Sequence, residues 1–184
     1  MPKNILLLNG SPRPKGNTAK LCDAFIAGAE SAKHTVTRFD LQKMTIHGCM
    51  GCMQGGKDQT NPCVQKDDMA KIYPAYQAAD IVVLASPMYY WSFSGQLKIA
   101  FDRLFAVAEL DPKYANPVKD CALIMAAEGD TKENWQPVLD YYTKLIGFLG
   151  WHDLGHVLAG GVLKIGDIDG RPVLDEAKKF GAAL

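Results

Sequence analysis

Apolar residues follow two patterns in turn along this chain: short unbroken runs, and longer stretches with helical spacing. Ile5 to Leu8 is a continuous apolar run that stops at Asn9-Gly10-Ser11-Pro12, as a buried parallel strand stops at a loop. From Asn17 onward Leu21, Cys22, Phe25, Ile26 and Ala29 recur at helical steps, which predicts a helix packed on a sheet, with Asn17 or Thr18 able to cap it. Val36 to Leu41 alternates apolar with polar residues and predicts a half-buried strand. A helix over about 67–79 follows, with Met69, Ile72, Tyr73 and Tyr76 on one side. Ile81 to Ala85 then reads as a buried strand, and 94–107 as a helix through Leu97, Phe101, Leu104 and Phe105. Cys121 to Ala127 supplies a fourth strand. Trp135, Val138, Leu139, Tyr142, Leu145, Ile146 and Leu149 keep helical spacing up to Gly150, a residue suited to a helix stop. Trp151 to Leu158 is a fifth strand, and 172–184 a short last helix.

Strands alternating with helices imply an α/β fold, a doubly wound parallel sheet covered on both faces, because parallel neighbours need crossover connections. Five such strands predict the order 2-1-3-4-5, and ligands of these sheets sit outside the carboxyl ends of the strands near the switch point. The loops after strands one, three and four are therefore where a site is expected. No internal repeat or linker interrupts the pattern, so 1–184 is expected to form a single domain.

Composition narrows the choice of ligand. Apolar residues make up 48% and charged residues 22% of the chain, too apolar a mixture for a disordered protein. Twenty basic and twenty acidic side chains cancel, with no Lys or Arg stripe to track phosphates, so a small molecule is a better partner than nucleic acid. The longest apolar stretch near the start, Ile5 to Leu8, is far shorter than a signal-peptide core and no stretch approaches a membrane span, which predicts no membrane contact and a cytoplasmic location. Five cysteines, an odd number, argue against a disulfide framework.

Between the first strand and its helix the chain reads Asn9-Gly10-Ser11-Pro12-Arg13-Pro14-Lys15-Gly16-Asn17-Thr18. Ser11 and Thr18 offer hydroxyls, Arg13 a charged fork, and the helix start unpaired N–H groups, which together suit an anion. A polar strand-to-helix connection with Ser and Asn as turn residues would look similar. Neither the dinucleotide fingerprint nor the Walker loop is present. Gly10-Ser11-Pro12-Arg13 followed by Gly16-Asn17-Thr18 resembles the phosphate loop of the NADPH-dependent FMN reductase family. That resemblance implies a flavodoxin-like fold, FMN as cofactor, NADPH or NADH as electron donor, and a phosphate held by Ser11, Arg13, Asn17 and Thr18.

After the third strand comes Ser86-Pro87-Met88-Tyr89-Tyr90-Trp91-Ser92-Phe93-Ser94, aromatics and a Met beside a rigid turn. Such a run packs in cores as readily as it covers a ligand ring. Pro87-Met88-Tyr89-Tyr90-Trp91 resembles the family's loop under the flavin, and Gly95-Gln96-Leu97-Lys98 with Phe101-Asp102-Arg103 its following helix. By that resemblance Pro87, Met88, Tyr89, Tyr90 and Trp91 are ring contacts. The loop after strand four, with Glu128 and Gly129, is a further candidate for cofactor contact, or else a capping turn built on Asp130 and Thr131.

Cys49-Met50-Gly51-Cys52, with Cys63 further on, admits several readings. With His47 the three thiols could hold zinc, although the spacing lacks the paired pattern of structural zinc sites. The segment from His47 to Met69 resembles the four-cysteine loop of the related iron-sulfur flavoproteins, with Gly55 where a third closely spaced Cys is expected; this points to loss of the cluster with the flavin retained. The cysteines could equally be small buried groups closing a loop. No metal ligand is assigned, and His34, His47, His152 and His156 show no metal spacing.

What the resemblance implies is a ping-pong oxidoreductase in which reduced nicotinamide gives hydride to FMN and a quinone, nitro compound, azo compound or free flavin takes it. No side chain is nominated as catalytic. A flavodoxin-like or iron-sulfur electron carrier, and an interaction domain that has lost the flavin, are the alternatives. A homodimer or higher homo-oligomer is expected from the family and from the apolar content around Tyr89 to Phe93.

Overall fold

The computed structural model describes Met1–Leu184. Five strands, β1 (Asn4–Asn9), β2 (Thr35–Asp40), β3 (Ile81–Pro87), β4 (Asp120–Ala126) and β5 (His152–Ala159), form one sheet in the order β2-β1-β3-β4-β5, every pair parallel. Helices α1 (Asn17–Ser31), α2 (Met69–Ala78), α3 (Gly95–Arg103), α4 (Phe105–Ala108), α5 (Lys132–Leu149) and α6 (Pro172–Ala182) cover it. This is the flavodoxin-like arrangement expected from the strand and helix pattern.

Alternate residues of each strand feed different cores, as a pleated strand requires. Leu6, Leu8, Val82, Leu84, Leu123 and Met125 point to the face covered by α2, α3 and α5. Ile5, Leu7, Ile81, Val83, Ala122 and Ile124 point to the face covered by α1 and α6. Cys22 and Cys121 belong to these cores; burial pushes both thiols up to about 12, which leaves them as inert packing groups. No helix is long and apolar enough to cross a membrane.

Two local details depart from the periodicity. The single helix expected over 94–107 is divided at Leu104 into α3 and α4. Tyr73 Oη donates to the Arg103 carbonyl at 3.2 Å, and the Val107 N–H turns instead to the Leu104 carbonyl at 2.9 Å, so a buried tyrosine takes an acceptor that helix continuation would use. At the start of α1 the cap is Gly16, with no side-chain hydrogen bond, and Asn17 and Thr18 already lie inside the helix. Their side chains are thereby free for other duties.

Candidate functional site

The loop from Asn9 to Gly16 is fixed from both ends. Asn9 Nδ2 donates to Asp40 Oδ1 at 2.9 Å, and Asn9 Oδ1 accepts from the Ser11 N–H at 3.1 Å. Gly10 N–H donates to the Ala85 carbonyl at 2.8 Å, while the Ser94 hydroxyl, which caps α3, donates to the Gly10 carbonyl at 2.7 Å. A Cβ at Gly10 would lie 2.5 Å from Ser94 Oγ and 2.7 Å from Leu97 Cβ, so the close approach requires glycine. β1, β3 and α3 thus meet at one backbone position, and the loop turns from there toward α1.

The start of α1 is left with unused donors. Gly16 N–H bonds the Arg13 carbonyl and Lys20 N–H bonds the Gly16 carbonyl, but the N–H groups of Asn17, Thr18 and Ala19 have no acceptor. Thr18 is 2% exposed and Ser11 5% exposed, so their hydroxyls face an interior that water reaches poorly. Asn17 is also buried: its Nδ2 donates to the Lys164 carbonyl at 3.0 Å, and its Oδ1 has no partner. A buried acceptor without a donor costs about 1–3 kcal/mol, and a ligand bearing a hydroxyl or N–H would remove that cost.

These groups line a cleft of about 190 Å³ with Ser11, Arg13, Gly16, Asn17 and Thr18 on one wall and Pro87, Met88 and Tyr89 on the other. Ala126, Ala127 and Glu128 form its floor, and Val162 and Leu163 close its far side. Glu128 therefore faces the cleft. Gly129 does not line it, and the space a Cβ would take there is filled by the Asn134 side chain. The nearby Thr131 caps α5 by accepting from the Asn134 N–H, so this turn serves the helix as well.

Tyr90 and Trp91 do not line the cleft. Tyr89 and Ser92 exchange backbone hydrogen bonds at 3.0 and 3.1 Å, and the two residues between them turn at φ 49° and 58°. This is the geometry of a tight two-residue hairpin turn that favours Asn and Gly. It carries two bulky side chains outward, leaving Tyr90 96% and Trp91 53% exposed. Residues from Pro87 to Tyr89 stay with the site because Met88 N–H donates to the Ala126 carbonyl at 2.9 Å and continues the β3–β4 ladder.

Sequence patterning missed the segment after β5. Val162 N–H bonds the Ala127 carbonyl, and Arg13 Nη1 donates to the Leu163 carbonyl at 2.7 Å. Asp167 accepts from the N–H groups of Leu163 and Lys164 at 2.9 and 2.7 Å, and Arg171 bonds the carbonyls of Gly160 and Gly161 at 2.8 Å. Residues 160–171 thereby form a strap across the phosphate loop. Its only signal in the sequence was the glycines Gly160, Gly161, Gly166 and Gly170, three of which have positive φ.

The cysteines form a second locality. Cys49 and Cys52 are exposed, Cys63 is half-buried, and none is in a disulfide. No three His, Cys, Asp or Glu side chains anywhere in the chain are grouped to hold a metal ion, so His47 with the three thiols makes no zinc site. The loop is fastened at its base. Arg103, 1% exposed, donates to the His47 carbonyl at 2.7 Å and to both Asp67 oxygens at 2.7 and 3.1 Å. Burial alone would raise the Asp67 carboxyl, but hydrogen bonds from Arg103 and from the N–H groups of His47 and Met69 outweigh it and hold the carboxyl below its ordinary range.

Comparison with known proteins gives a consistent family. The sequence model described as NADPH-dependent FMN reductase matches residues 3–159. An iron-sulfur flavoprotein of Archaeoglobus fulgidus is 29% identical over 180 residues, covering 95% of this chain and 76% of that protein. A Bacillus subtilis protein provisionally named an NAD(P)H-dependent FMN-containing oxidoreductase is 24% identical over 162 residues, covering 85% and 84%. Five other relatives named iron-sulfur flavoprotein align over only 47–52% of their own length, so this chain spans about half of each. Among solved structures, an NAD(P)H:quinone oxidoreductase from Methanothermobacter marburgensis superposes with a TM-score of 0.76 at 18% identity, over 99% of this chain and 96% of that one, which is a likeness of fold.

Proposed function

This chain belongs to the NADPH-dependent FMN reductase family, and from that premise we propose that it is an oxidoreductase carrying electrons from NADPH or NADH through FMN to a small acceptor by a ping-pong mechanism. The observation that carries this reading is the start of α1, where three N–H groups without acceptors and the unpartnered Asn17 Oδ1 meet in one buried corner. A phosphate answers the N–H groups and the hydroxyls of Ser11 and Thr18, and a hydroxylated chain attached to it answers Asn17. Arg13, tied to the Leu163 carbonyl, adds one positive charge at the rim. Pro87, Met88 and Tyr89 suit the flat ring, with Glu128 at its edge.

FMN held between the Ser11–Thr18 loop and Pro87–Tyr89 would supply the hydride chemistry between reduced nicotinamide and the second substrate. The chain's residues bind and orient the cofactor and shield it from water, and none acts as proton donor or nucleophile. A quinone, a nitro or azo compound, or free flavin fits the second half of the cycle. The cleft is smaller than the roughly 300–1,000 Å³ of sites that enclose a ligand whole. Together with the outward Tyr90 and Trp91, this supports a homodimer whose partner completes the open side. The free thiols suit a reducing, cytoplasmic setting, and the continuous sheet supports one domain over 1–184.

Titration of the purified chain with FMN should give one flavin per chain, and anaerobic mixing with NADPH or NADH should bleach it before any acceptor is added. Initial rates against donor at several acceptor concentrations should give parallel double-reciprocal lines. A protein that stays colourless and takes up no FMN would sink the reading. Light scattering that returns a monomer would remove the dimer alone.

A further inference from the structure

Relatives named for an iron-sulfur cluster raise the question of whether this chain's three loop thiols could hold one. A four-iron cluster is ordinarily bound by four thiolates. Cys49, Cys52 and Cys63 do line one small cavity, formed where the loop lies against α4, and the other donor at its wall nearest the loop glycines is the carboxylate of Glu109. As the loop is folded, the space enclosed there is about 30 Å³, room for a water molecule.

Glu109 and the two loop glycines interlock. A Cβ at Gly55 would overlap Glu109 Oε2 and lie 2.9 Å from its Cδ and 3.1 Å from the Pro62 carbonyl oxygen. A Cβ at Gly56 would overlap the Glu109 carbonyl and lie 3.0 Å from the Leu110 nitrogen. Gly56, at φ 72° with its N–H on the Pro62 carbonyl at 2.9 Å, brings the loop backbone directly onto the end of α4. The Glu109 side chain then fills the corner into which a residue at 55 would project. No three donor side chains in this region share metal-ligand spacing.

We infer that the cysteine loop of this chain is a cluster-free version of the iron-sulfur loop, in which glycine at 55 and the Glu109 side chain together occupy the corner of the fourth thiolate. The loop closes on protein groups alone. On the flavin reading, electrons would then have no iron centre beside the flavin through which to leave. The inference concerns the loop only and holds whether or not the flavin reading does.

Anaerobic incubation of the full-length protein with ferrous iron and sulfide, followed by desalting, tests it through iron and acid-labile sulfide per chain. The wild type should retain a small fraction of one iron, while Gly55→Cys/Glu109→Ala should retain several with matching sulfide. Flavin content, measured separately after acid release, reports on the flavin site and on folding. If the double variant does not fold, Gly55→Cys alone serves, since the group it displaces is the mobile end of the Glu109 side chain. A stoichiometric cluster in the wild type overturns the inference. If that cluster is lost in Glu109→Ala, the carboxylate is instead its fourth ligand. Failure of both folded cysteine variants to take up iron overturns the assignment of this corner.

Discussion

The phosphate loop and the cysteine loop both follow a strand at the same edge of the sheet, yet only one is a prepared site. Between Asn9 and Gly16 the backbone is tied to β2, β3 and α3, and each tie aims unused donors into the cleft. Between His47 and Asp67 the polar ties gather at the base, through Arg103, the tip only packs against Glu109, and Cys49 and Cys52 remain exposed residues. The difference teaches that reactive side chains alone do not make a site. A binding site needs backbone held on two sides, so that polar groups remain unsatisfied without collapsing onto one another.

The sharpest way to break this contrast is to release the base of the cysteine loop. Arg103→Met strands Asp67 in a buried setting and should cost about 3–5 kcal/mol, read from the urea midpoint. A small loss would mean that the loop is held elsewhere. The same pair carries a pH dependence. The folded Asp67 carboxyl lies below its unfolded value of about 3.9, so its contribution is complete above that pH and is lost as pH falls through the folded value. Acid unfolding of wild type should be steeper below pH 4 than that of Asp67→Asn.

Ser11→Ala removes one hydroxyl from the phosphate corner, with its bonds to the Arg13 N–H and carbonyl, and should weaken FMN binding about tenfold, roughly 1.4 kcal/mol, while costing the flavin-free protein about 0.5 kcal/mol. An equal loss in both would make Ser11 a loop brace only. Trp91→Gly relieves a left-handed residue and should stabilise the isolated chain by about 1 kcal/mol. If that turn forms the partner's wall, the same change weakens dimerisation, and sedimentation separates the two effects. Smallest of all, Cys49→Ser/Cys52→Ser should shift stability by no more than about 0.5 kcal/mol and leave FMN affinity unaltered, since both residues are exposed and lie outside the cleft.

Much of the sheet was legible in the sequence because β1, β3 and β4 are buried on both faces and are apolar through Ile5–Leu8, Ile81–Ala85 and Cys121–Ala126. The phosphate loop was legible for a related reason: Gly10, Ser11 and Thr18 are residue types that its geometry demands. The outward course of Tyr90 and Trp91 was not, since aromatic character says nothing about which way a turn points. Nor was the division at Leu104, which depends on a hydroxyl from Tyr73, far away in sequence. The strap over 160–171 works through carbonyls and glycine dihedrals, which leave no hydrophobic period to detect. Glu109 and Gly55 meet only because α4 and the loop are folded together.

The outer face of α1 is completed late in the chain. α6 lies on it so closely that a Cβ at Gly28 would overlap the Lys178 carbonyl and one at Gly181 the Phe25 carbonyl. Lys20 reaches Asp169, 149 positions onward, at 2.6 Å. On a ribosome adding about 5–20 residues per second, the helix that heads the phosphate loop would wait on the order of ten seconds for these partners. Over that interval β1 and β3 can already pair, but the groove of Gly28 stays open to chaperones and to other nascent chains. A cofactor site headed by α1 therefore reaches its final form only after α6 and Asp169 have been made.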